Sequence, residues 1–406
     1  MSDLLLALDL GTTTLAGRLL DGEGRTLAEG KTANPQRVLG ADIIRRLESA
    51  LAGEGARLQM LLLDGIEILL VDLLRQANVE RRAITAAALA ANPGVTALLC
   101  ADDVRPILFP PHRPKDLSLR SIDFPTLNLS VPLQVFPLLS GYVGGDLIAC
   151  LYGLTSSGGV TLCIDLGTNG EIALSLPGGW VATSVPAGPA FEGGEIGCGQ
   201  VAATGAITNI CVAGDRLQLE VLGGGSPTGL AGSGLFALLA VAIEHGLIER
   251  SGRILGAAEV DSNLARYLIP DGSGYALRLY RDATREIVVT QGDVRAFQLA
   301  KGAVRAGIDA LMTRCNVTLG SVEEVIVTGA FGLSLDRQRL KSVAILPDVM
   351  VEKTLFLPGG ALAGVSCFLL DQDGPARLQA LTAKMRSYPL SGTPAFEHAF
   401  LAALNF

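Results

Sequence analysis

The feature that most constrains the fold is a tetrapeptide, Asp-Leu-Gly-Thr, which occurs at residues 9–12 and again at residues 165–168. In both places a short apolar run precedes the Asp, and a second run of strand-forming residues follows the turn. Glycine lets the N–H groups of the turn approach an anion closely, and Thr hydroxyls add further donors. The duplication predicts two related domains, each with a phosphate-binding loop.

These two loops supply candidate ligands for phosphate and for a metal ion. The candidate phosphate ligands are Gly11, Thr12, Thr13 and Thr14 in the first loop and Gly167, Thr168, Asn169 and Gly170 in the second. A carboxylate at the end of each preceding strand, Asp9 or Asp165, can hold hydrated Mg²⁺ against phosphate oxygens. Asp is also common as a turn-capping residue, but its presence at matching positions in both loops favours the metal role.

The segments around the two loops repeat one topology. Apolar and alternating runs predict strands in both halves, at 4–10, 15–20 and 26–31, then at 160–165, 171–176 and 180–185. Helical patterns follow each set, so we predict an α/β protein with an internal duplication. Because 406 residues are too many for one ordinary core, we predict a first domain at 1–157 and a second at 158–406, with insertions at about 186–290.

Composition and charge exclude several classes of function. The net charge of −8 argues against nucleic acid as a partner. The pairs Arg45-Arg46 and Arg81-Arg82 are interpreted as solvated helix faces. The most apolar long segment, 58–74, contains three acidic residues at helical spacing, which predicts an amphipathic helix and not a membrane span. The N-terminal residues do not resemble a signal peptide, so we expect a cytoplasmic protein without a membrane partner.

The seven cysteines contain no Cys-x-x-Cys pair and no ferredoxin or zinc spacing. We therefore predict free thiols and no iron–sulfur cluster in this chain.

Two further regions carry no recognisable chemistry. The proline-rich segment 104–132 is predicted to be an irregular loop, and the residues from about 374 onward are predicted to be entirely helical.

Other glycine-rich segments are candidates for nucleotide contacts. Gly232, Ser233 and Gly234 begin a predicted helix and could form an anion or ribose site, or a flexible connection. Gly329, Ala330, Phe331 and Gly332 follow a predicted strand and suit a backbone that passes close to adenine or ribose, although Phe331 could belong to the core. A helix of small residues beginning near 359 could pack closely against another at 144–153.

These elements, in this order, resemble the actin, sugar-kinase and heat-shock-chaperone ATPase superfamily. The resemblance assigns phosphate loops to 9–14 and 165–170, connecting helices to 144–153 and 359–370, and an adenosine segment to 327–332. It implies two ribonuclease H-like (actin/hexokinase-type) domains, each a mixed sheet flanked by helices, with a nucleotide cleft between them.

Several longer stretches resemble the ATPase region of the reductive activators of corrinoid proteins. They are Ile-Asp-Leu-Gly-Thr-Asn-Gly-Glu-Ile from residue 164, Ala-Gly-Pro-Ala-Phe-Glu-Gly from 187, Gly-Leu-Ala-Gly-Ser-Gly-Leu from 229, Gln-Leu-Ala-Lys-Gly-Ala-Val-Arg-Ala-Gly-Ile from 298 and Thr-Gly-Ala-Phe-Gly from 328. The resemblance implies ATP and Mg²⁺ as cofactors, a corrinoid protein or methyltransferase as partner, and a possible homodimer. Such activators usually carry a fused ferredoxin domain. This chain has none, and it has Ala231 where Cys is expected, so the electron is expected from a separate protein.

The resemblance also names candidates for the residue that orients the attacking water. A carboxylate on the first connecting helix has this role, and Asp146 is the candidate here, although it could simply cap its helix. Glu192, in a glycine-rich segment after the second set of strands, is the other candidate, whereas Glu195 is interpreted as a solvated bystander. Three classes stay open: an ATPase acting on a corrinoid protein, a small-molecule kinase, and a nucleotide-gated scaffold or chaperone-like protein.

Overall fold

The computed structural model describes residues 3–154, 158–329, 337–390 and 392–406. Contacts divide the chain into two compact units. Unit 1 comprises Met1–Ser157, Pro177–Ala182 and Gly359–Tyr388, and unit 2 comprises Gly158–Leu176, Thr183–Pro358 and Pro389–Phe406. The sequence-based division placed all of 158–406 in the second domain. In the structure, two segments of that range, 177–182 and 359–388, pack within unit 1 instead.

Runs of strands are separated by helices along the described chain. The strands are β1 (Leu4–Leu10), β2 (Thr14–Asp21), β3 (Thr26–Ala33), β4 (Ile84–Ala91), β5 (Arg120–Ile122), β6 (Leu133–Val135), β7 (Val160–Leu166), β8 (Gly170–Leu176), β9 (Gly179–Val185), β10 (Ala206–Ala213), β11 (Arg216–Val221), β12 (Gly229–Leu230), β13 (Leu268–Asp271), β14 (Gly274–Arg281), β15 (Glu286–Val289), β16 (Val322–Gly329), β17 (Thr354–Pro358) and β18 (Met385–Ser387). The helices are α1 (Ile43–Ser49), α2 (Gly55–Ala77), α3 (Pro93–Leu99), α4 (Arg105–Leu108), α5 (Gly145–Gly153), α6 (Gly232–Glu244), α7 (Gln291–Arg314), α8 (Arg337–Ser342), α9 (Asp348–Val351), α10 (Gly360–Leu370), α11 (Gly374–Ala383) and α12 (Pro394–Ala402).

Unit 1 is built on a mixed six-stranded sheet with the order β3-β2-β1-β4-β6-β5. Its central strand, β1, pairs antiparallel with β2 and parallel with β4. Helices cover both faces of this sheet. Successive residues of a strand point to opposite faces, so the contacts of two neighbouring residues in β2 identify the helix on each face. Gly17 faces Leu69 and Leu73 of α2, whereas the guanidinium of Arg18 donates to the Ser366 hydroxyl of α10 (3.4 Å). A central strand covered on both faces explains the unbroken apolar run that predicted β1.

Two helices of small residues, α5 and α10, pack closely in unit 1, as the sequence predicts. A Cβ atom at Gly364 would lie only 1.7 Å from the carbonyl oxygen of Ala149. A Cβ atom at Gly153 would lie 3.0 Å from the Gly364 Cα. This backbone-to-backbone contact is the physical reason that the segment 359–388 belongs with unit 1.

The second six-stranded sheet has the order β17-β16-β7-β8-β9-β18. Here β7 pairs antiparallel with β8 and parallel with β16. In the same way, β1 of unit 1 pairs antiparallel with β2 and parallel with β4. The other strands of unit 2 form two three-stranded sheets, β11-β10-β12 and β13-β14-β15, which occupy the predicted insertion. The arrangement confirms the predicted class of mixed sheets flanked by helices.

Three details differ from the sequence-based expectation or extend it. The proline-rich segment, predicted to be irregular, contains the short edge strand β5, which pairs with β6. The region after residue 374, predicted to be entirely helical, contains β18 next to β9. The predicted amphipathic helix is α2, with an apolar face buried from Leu58 to Leu74. Within the described ranges, no helix has the length and hydropathy that a membrane crossing requires.

Candidate functional site

The first candidate loop joins β1 to β2 in a tight turn. The backbone N–H of Gly11 donates to the carbonyl of Thr14 at 2.9 Å, which closes the turn. A Cβ atom at position 11 would lie 2.9 Å from the same Thr14 oxygen, closer than side-chain carbons normally come. Glycine is therefore required here by close approach of the backbone, as the sequence motif indicates.

The carbonyl groups of this loop point into unit 1 and are all bonded there. The Gly11 oxygen accepts from Asn34 Nδ2 (3.0 Å), and the Thr12 oxygen accepts from Arg46 Nη1 (2.6 Å). The Thr13 oxygen accepts from the Asn34 backbone N–H (2.9 Å). Asn34 is 0% exposed and Arg46 is 1% exposed, so these are interior contacts.

With the carbonyls held inward, two N–H groups of the loop remain available. The backbone N–H groups of Thr12 and Thr13 have no acceptor in the described part of the chain. The Thr12 hydroxyl accepts from Asn92 Nδ2 (3.1 Å), which leaves its own proton free to be donated. Consecutive donors of this kind can bind an anion, which is the role that the motif predicts for this loop.

Two carboxyl groups accompany this loop. Asp9 is the penultimate residue of β1, and Asp146 lies in the first turn of α5. Burial, and after it the negative charge of Asp146, raise the pKa of Asp9 to about 7, against the opposing positive charge of Lys31. Burial also raises the pKa of Asp146, opposed by N–H donation from Leu147 to Oδ1 (3.0 Å). The structure thus brings together two of the predicted acids.

A divalent cation would suit this pair of carboxyl groups. Mg²⁺ sites commonly use one or two protein carboxylates and complete the octahedron with water and substrate phosphate. The described residues contain no group of three or more His, Cys, Asp or Glu side chains arranged for a metal. The pair Asp9 and Asp146, beside unbonded backbone N–H groups, therefore fits Mg²⁺ bound together with a phosphate and does not fit a protein-only metal cage.

The second loop joins β7 to β8 and is supported differently. Glu192 Oε1 accepts from both the backbone N–H (3.0 Å) and the hydroxyl (3.2 Å) of Thr168. The Thr168 carbonyl accepts from the N–H of Gly188 (2.9 Å). The structure thus places the Glu192 carboxylate at the second loop, where it is a hydrogen-bond acceptor for one of the predicted phosphate donors.

The position of Glu192 is fixed by the residue before it. Phe191 is 0% exposed and packs against Phe236 and Phe297, with ring centroids 5.4 and 5.5 Å away. Such aromatic contacts anchor the short helical turn Pro189–Glu192 against α6 and α7. In contrast, Glu195 is exposed, which agrees with its interpretation as a bystander.

The candidate adenosine residues fall into three groups. Gly329 ends β16 beside the second loop, where a Cβ atom would lie 2.4 Å from the Leu166 oxygen and 2.8 Å from Asp165 Oδ1. The predicted contacts Ala330, Phe331 and Gly332 lie outside the described residues. Gly232, Ser233 and Gly234 are buried in the first turn of α6, and the Ser233 hydroxyl donates to the Thr208 carbonyl (2.9 Å). That hydroxyl proton is used in packing α6 against β10.

The sequence interpretation missed the residues that hold the first loop from inside. Arg46 was assigned to a solvated helix face, and this was wrong: its side chain is buried under the loop. Its neighbour Arg45 is exposed and pairs with Glu48 (3.3 Å), as expected of a surface residue. Helical spacing could have indicated that Arg46 is buried. It lies three residues after Ile43 and next to Leu47, and both of these apolar residues are on the buried face of α1.

Two sheets that each carry an Asp-Leu-Gly-Thr loop after their first strand define the actin, sugar-kinase and heat-shock-chaperone (ASKHA) class. Comparison with known proteins narrows the class. Residues 159–406 match the family model described as the C-terminal domain of RACo, the ASKHA domain, and residues 4–155 match the RACo middle region. The chain therefore belongs to the RACo family.

Three relatives illustrate the likeness. The corrinoid activation enzyme RamQ of Eubacterium limosum is 27% identical over 99% of this chain and 70% of its own length. A [Co(II) methylated amine-specific corrinoid protein] reductase of Methanosarcina barkeri is 22% identical over 84% of this chain and 65% of its own length. A solved structure of a reductive activator for corrinoid, iron–sulfur protein superposes with a TM-score of 0.90 at 30% identity, covering 100% of this chain and 66% of that one. The chain thus spans about two thirds of the length of these relatives.

Proposed function

We propose that this chain binds and hydrolyses ATP with Mg²⁺ and couples hydrolysis to the reduction of Co(II) to Co(I) in a corrinoid protein or methyltransferase. A separate protein would supply the electron. Membership of the RACo family supports the proposal, as do the two curated relatives, one named a corrinoid activation enzyme and the other a Co(II) corrinoid protein reductase. We also propose that the protein acts in the cytoplasm as a homodimer.

The observation that carries the ATP part of the proposal is the construction of the first loop. Its carbonyls are bonded inward, and the N–H groups of Thr12 and Thr13 have no acceptor among the described residues. Paired carboxyl groups, Asp9 and Asp146, lie beside these donors. Free N–H groups would bind phosphate oxygens, and Asp9 would be a ligand of the cation that accompanies them. The charge of Asp146 would favour that cation nearby without Asp146 being its ligand.

The proposed mechanism relies on positioning and charge stabilisation. Loop residues 11–14 and 167–170 would bind the phosphates, with Asp9 and Asp165 as ligands of Mg²⁺. The bound ion would neutralise charge on the phosphate oxygens. The proposed adenosine contacts are residues 232–234 and 329–332.

Between the two candidates for orienting the attacking water, we propose Asp146. Glu192 already accepts two hydrogen bonds from Thr168 through one oxygen, which suits a residue that shapes the loop. The raised pKa of Asp146 brings a buried carboxyl closer to the range in which it can accept a proton at neutral pH. Glu192 would then position the second loop.

The test is ATP hydrolysis by the purified chain, with and without a Co(II) corrinoid protein and a low-potential electron donor. We expect the corrinoid protein to stimulate phosphate release, and Co(I) to appear in the visible spectrum. Asp146→Asn should lower the rate by about 100-fold or more while the affinity for ATP changes little. ATP binding with neither stimulation nor Co(I) would contradict the proposed coupling. Phosphate transfer to a small acceptor would identify a kinase instead.

A further inference from the structure

The most unusual charged group outside the proposed catalytic residues is the guanidinium of Arg46. Its side chain is 1% exposed, and no Asp or Glu of the described residues forms an ion pair with it. It donates instead to two backbone carbonyls, from Nε to Gly40 (2.9 Å) and from Nη1 to Thr12 (2.6 Å). Asp42, whose negative charge acts on Arg46 from a distance, caps α1 by accepting from the Arg45 N–H (2.9 Å).

A buried cation without a carboxylate partner is costly, because two carbonyl dipoles replace only part of its hydration. Burial lowers the pKa of Arg46 to about 10, so the group is still a cation at neutral pH. If the only task were to bond the two carbonyls, a neutral donor would avoid this cost. Asn34 performs that task for the adjacent Gly11 carbonyl (3.0 Å). The positive charge at Thr12 therefore calls for a further explanation.

The explanation lies in the peptide unit that joins Thr12 to Thr13. In a trans peptide the C=O and the N–H point in opposite directions. The oxygen of this unit is bonded to Arg46, so its N–H, which belongs to Thr13, points away from the guanidinium. That N–H has no acceptor in the described chain. A cation at the oxygen polarises the peptide and strengthens the N–H as a donor to an anion.

We propose that Arg46 is a positioning residue that orients and polarises the Thr12–Thr13 peptide for binding of a nucleotide phosphate. It touches the loop and not the ligand. The inference rests on the proposed function, since it concerns the same phosphate site. It predicts that the contribution of Arg46 grows with the negative charge of the ligand, in the order adenosine, ADP, ATP.

Arginine suits this position better than lysine because its planar fork reaches two acceptors at once. Gly40 makes room for the start of helix α1: a Cβ atom at position 40 would lie 2.8 Å from the Arg46 backbone N and 2.9 Å from Arg46 Cγ. A lysine could keep the charge but would bond one carbonyl, and should restore only part of the effect.

The experiment compares Arg46→Met, Arg46→Lys and the exposed neighbour control Arg45→Met in the full chain. Isothermal titration gives the dissociation constants for ATP, ADP and adenosine, and urea unfolding gives the stability of each variant. For Arg46→Met we expect ATP to bind at least about tenfold more weakly, ADP to lose less, and adenosine to change by under about twofold. Arg46→Lys should recover part of the ATP affinity, and Arg45→Met should match the wild type.

Equal losses for ATP and adenosine, or no loss for either, would overturn the inference and leave Arg46 a purely structural residue. If Arg46→Met does not fold, the ratio of ATP to adenosine affinity in Arg46→Lys and Arg46→Gln decides the same question. Failure of the wild-type chain to bind ATP or ADP at all would be a different outcome. It would overturn the proposed function itself, and the inference with it.

Discussion

The two phosphate loops share a sequence motif and a strand–turn–strand setting, but the charged side chains that hydrogen-bond to them have opposite signs, Arg46 at the first loop and Glu192 at the second. In the first loop, Asn34 and the cation Arg46 bond the carbonyls, and two N–H groups are left available. In the second, the carboxylate of Glu192 bonds the N–H and the hydroxyl of Thr168. The motif thus specifies the shape of the turn, while residues distant in sequence determine what each loop offers to a phosphate.

This comparison suggests a division of roles within the proposed site. The first loop offers N–H groups that have no acceptor in the described chain, and the side chains that bond its carbonyls are neutral (Asn34) or positive (Arg46), so it could accept an anion without breaking a hydrogen bond. The second loop presents a donor, Thr168, that is already bonded to an acid. A phosphate at Thr168 would have to approach or displace that acid, so substitutions in the two loops should have different consequences.

The largest expected effect is the loss of ATP hydrolysis when Asp9, the acid at the end of the strand before the first loop, is substituted. Asp9→Asn should reduce ATP hydrolysis by about 100-fold or more, because it removes a proposed ligand of Mg²⁺. Asp165→Asn, the equivalent change beside the second loop, should also abolish turnover if both acids hold the cation. Asp64→Asn, on the exposed side of α2, is the matched control. Full activity of Asp9→Asn, measured as phosphate release, would remove Asp9 from the mechanism.

Although Asp9→Asn should lower activity, it should raise the free energy of unfolding. The pKa of Asp9 is raised in the folded state from 3.8 to about 7. The folded protein therefore binds more protons than the unfolded chain in this window, and the free energy of unfolding falls as pH rises through it. Without Mg²⁺, Asp9→Asn should be more stable than wild type at pH 7.5, by on the order of 1 to 2 kcal/mol, and the difference should shrink toward pH 4. Urea unfolding at both pH values checks the sign, and a destabilised variant at pH 7.5 would contradict it.

A smaller effect, on the affinity for ATP, should distinguish substitution of Gly11 in the first loop from substitution of Gly167 in the second. A Cβ atom at Gly11 would lie 2.9 Å from the Thr14 oxygen, whereas at Gly167 the nearest atom, the Asn169 oxygen, is 3.6 Å away. Gly11→Ala should weaken ATP binding by about tenfold, since overpacking typically costs 1 to 3 kcal/mol. Gly167→Ala should cost less than about threefold. Equal effects in a titration with ATP would show that space at the turn does not distinguish the loops.

The sequence predicted those parts of the molecule that depend on short-range patterns. The bounds of β1 and, to within one residue, of β7 follow from apolar runs, and the close contact of α5 with α10 follows from their small residues. Both Asp-Leu-Gly-Thr motifs lie at turns between two strands, as their flanking residues predict. These features are encoded by neighbouring residues and by spacing, which a single sequence displays.

The support of the loops could not be predicted in the same way. Arg46 reaches Thr12 across 34 positions, and Glu192 reaches Thr168 across 24, so neither contact leaves a local pattern. Arg46 also appears beside Arg45 in the sequence, and a pair of arginines usually indicates a surface. The short strand β18 was missed for a related reason, because an edge strand of three residues depends on its partner β9 and not on its own composition.

The smallest expected effect concerns Glu192 and tests the other half of the comparison. In Glu192→Gln the amide oxygen can still accept from Thr168, but the negative charge beside the loop is removed. ATP should therefore bind about threefold more tightly, while turnover changes by less than about tenfold. Glu195→Gln, an exposed carboxylate in the same glycine-rich segment, is the control. A loss of turnover of about 100-fold or more in Glu192→Gln, with Asp146→Asn still active, would assign the water-orienting role to Glu192. The second loop would then carry the catalytic acid, and the proposed division of roles would be reversed.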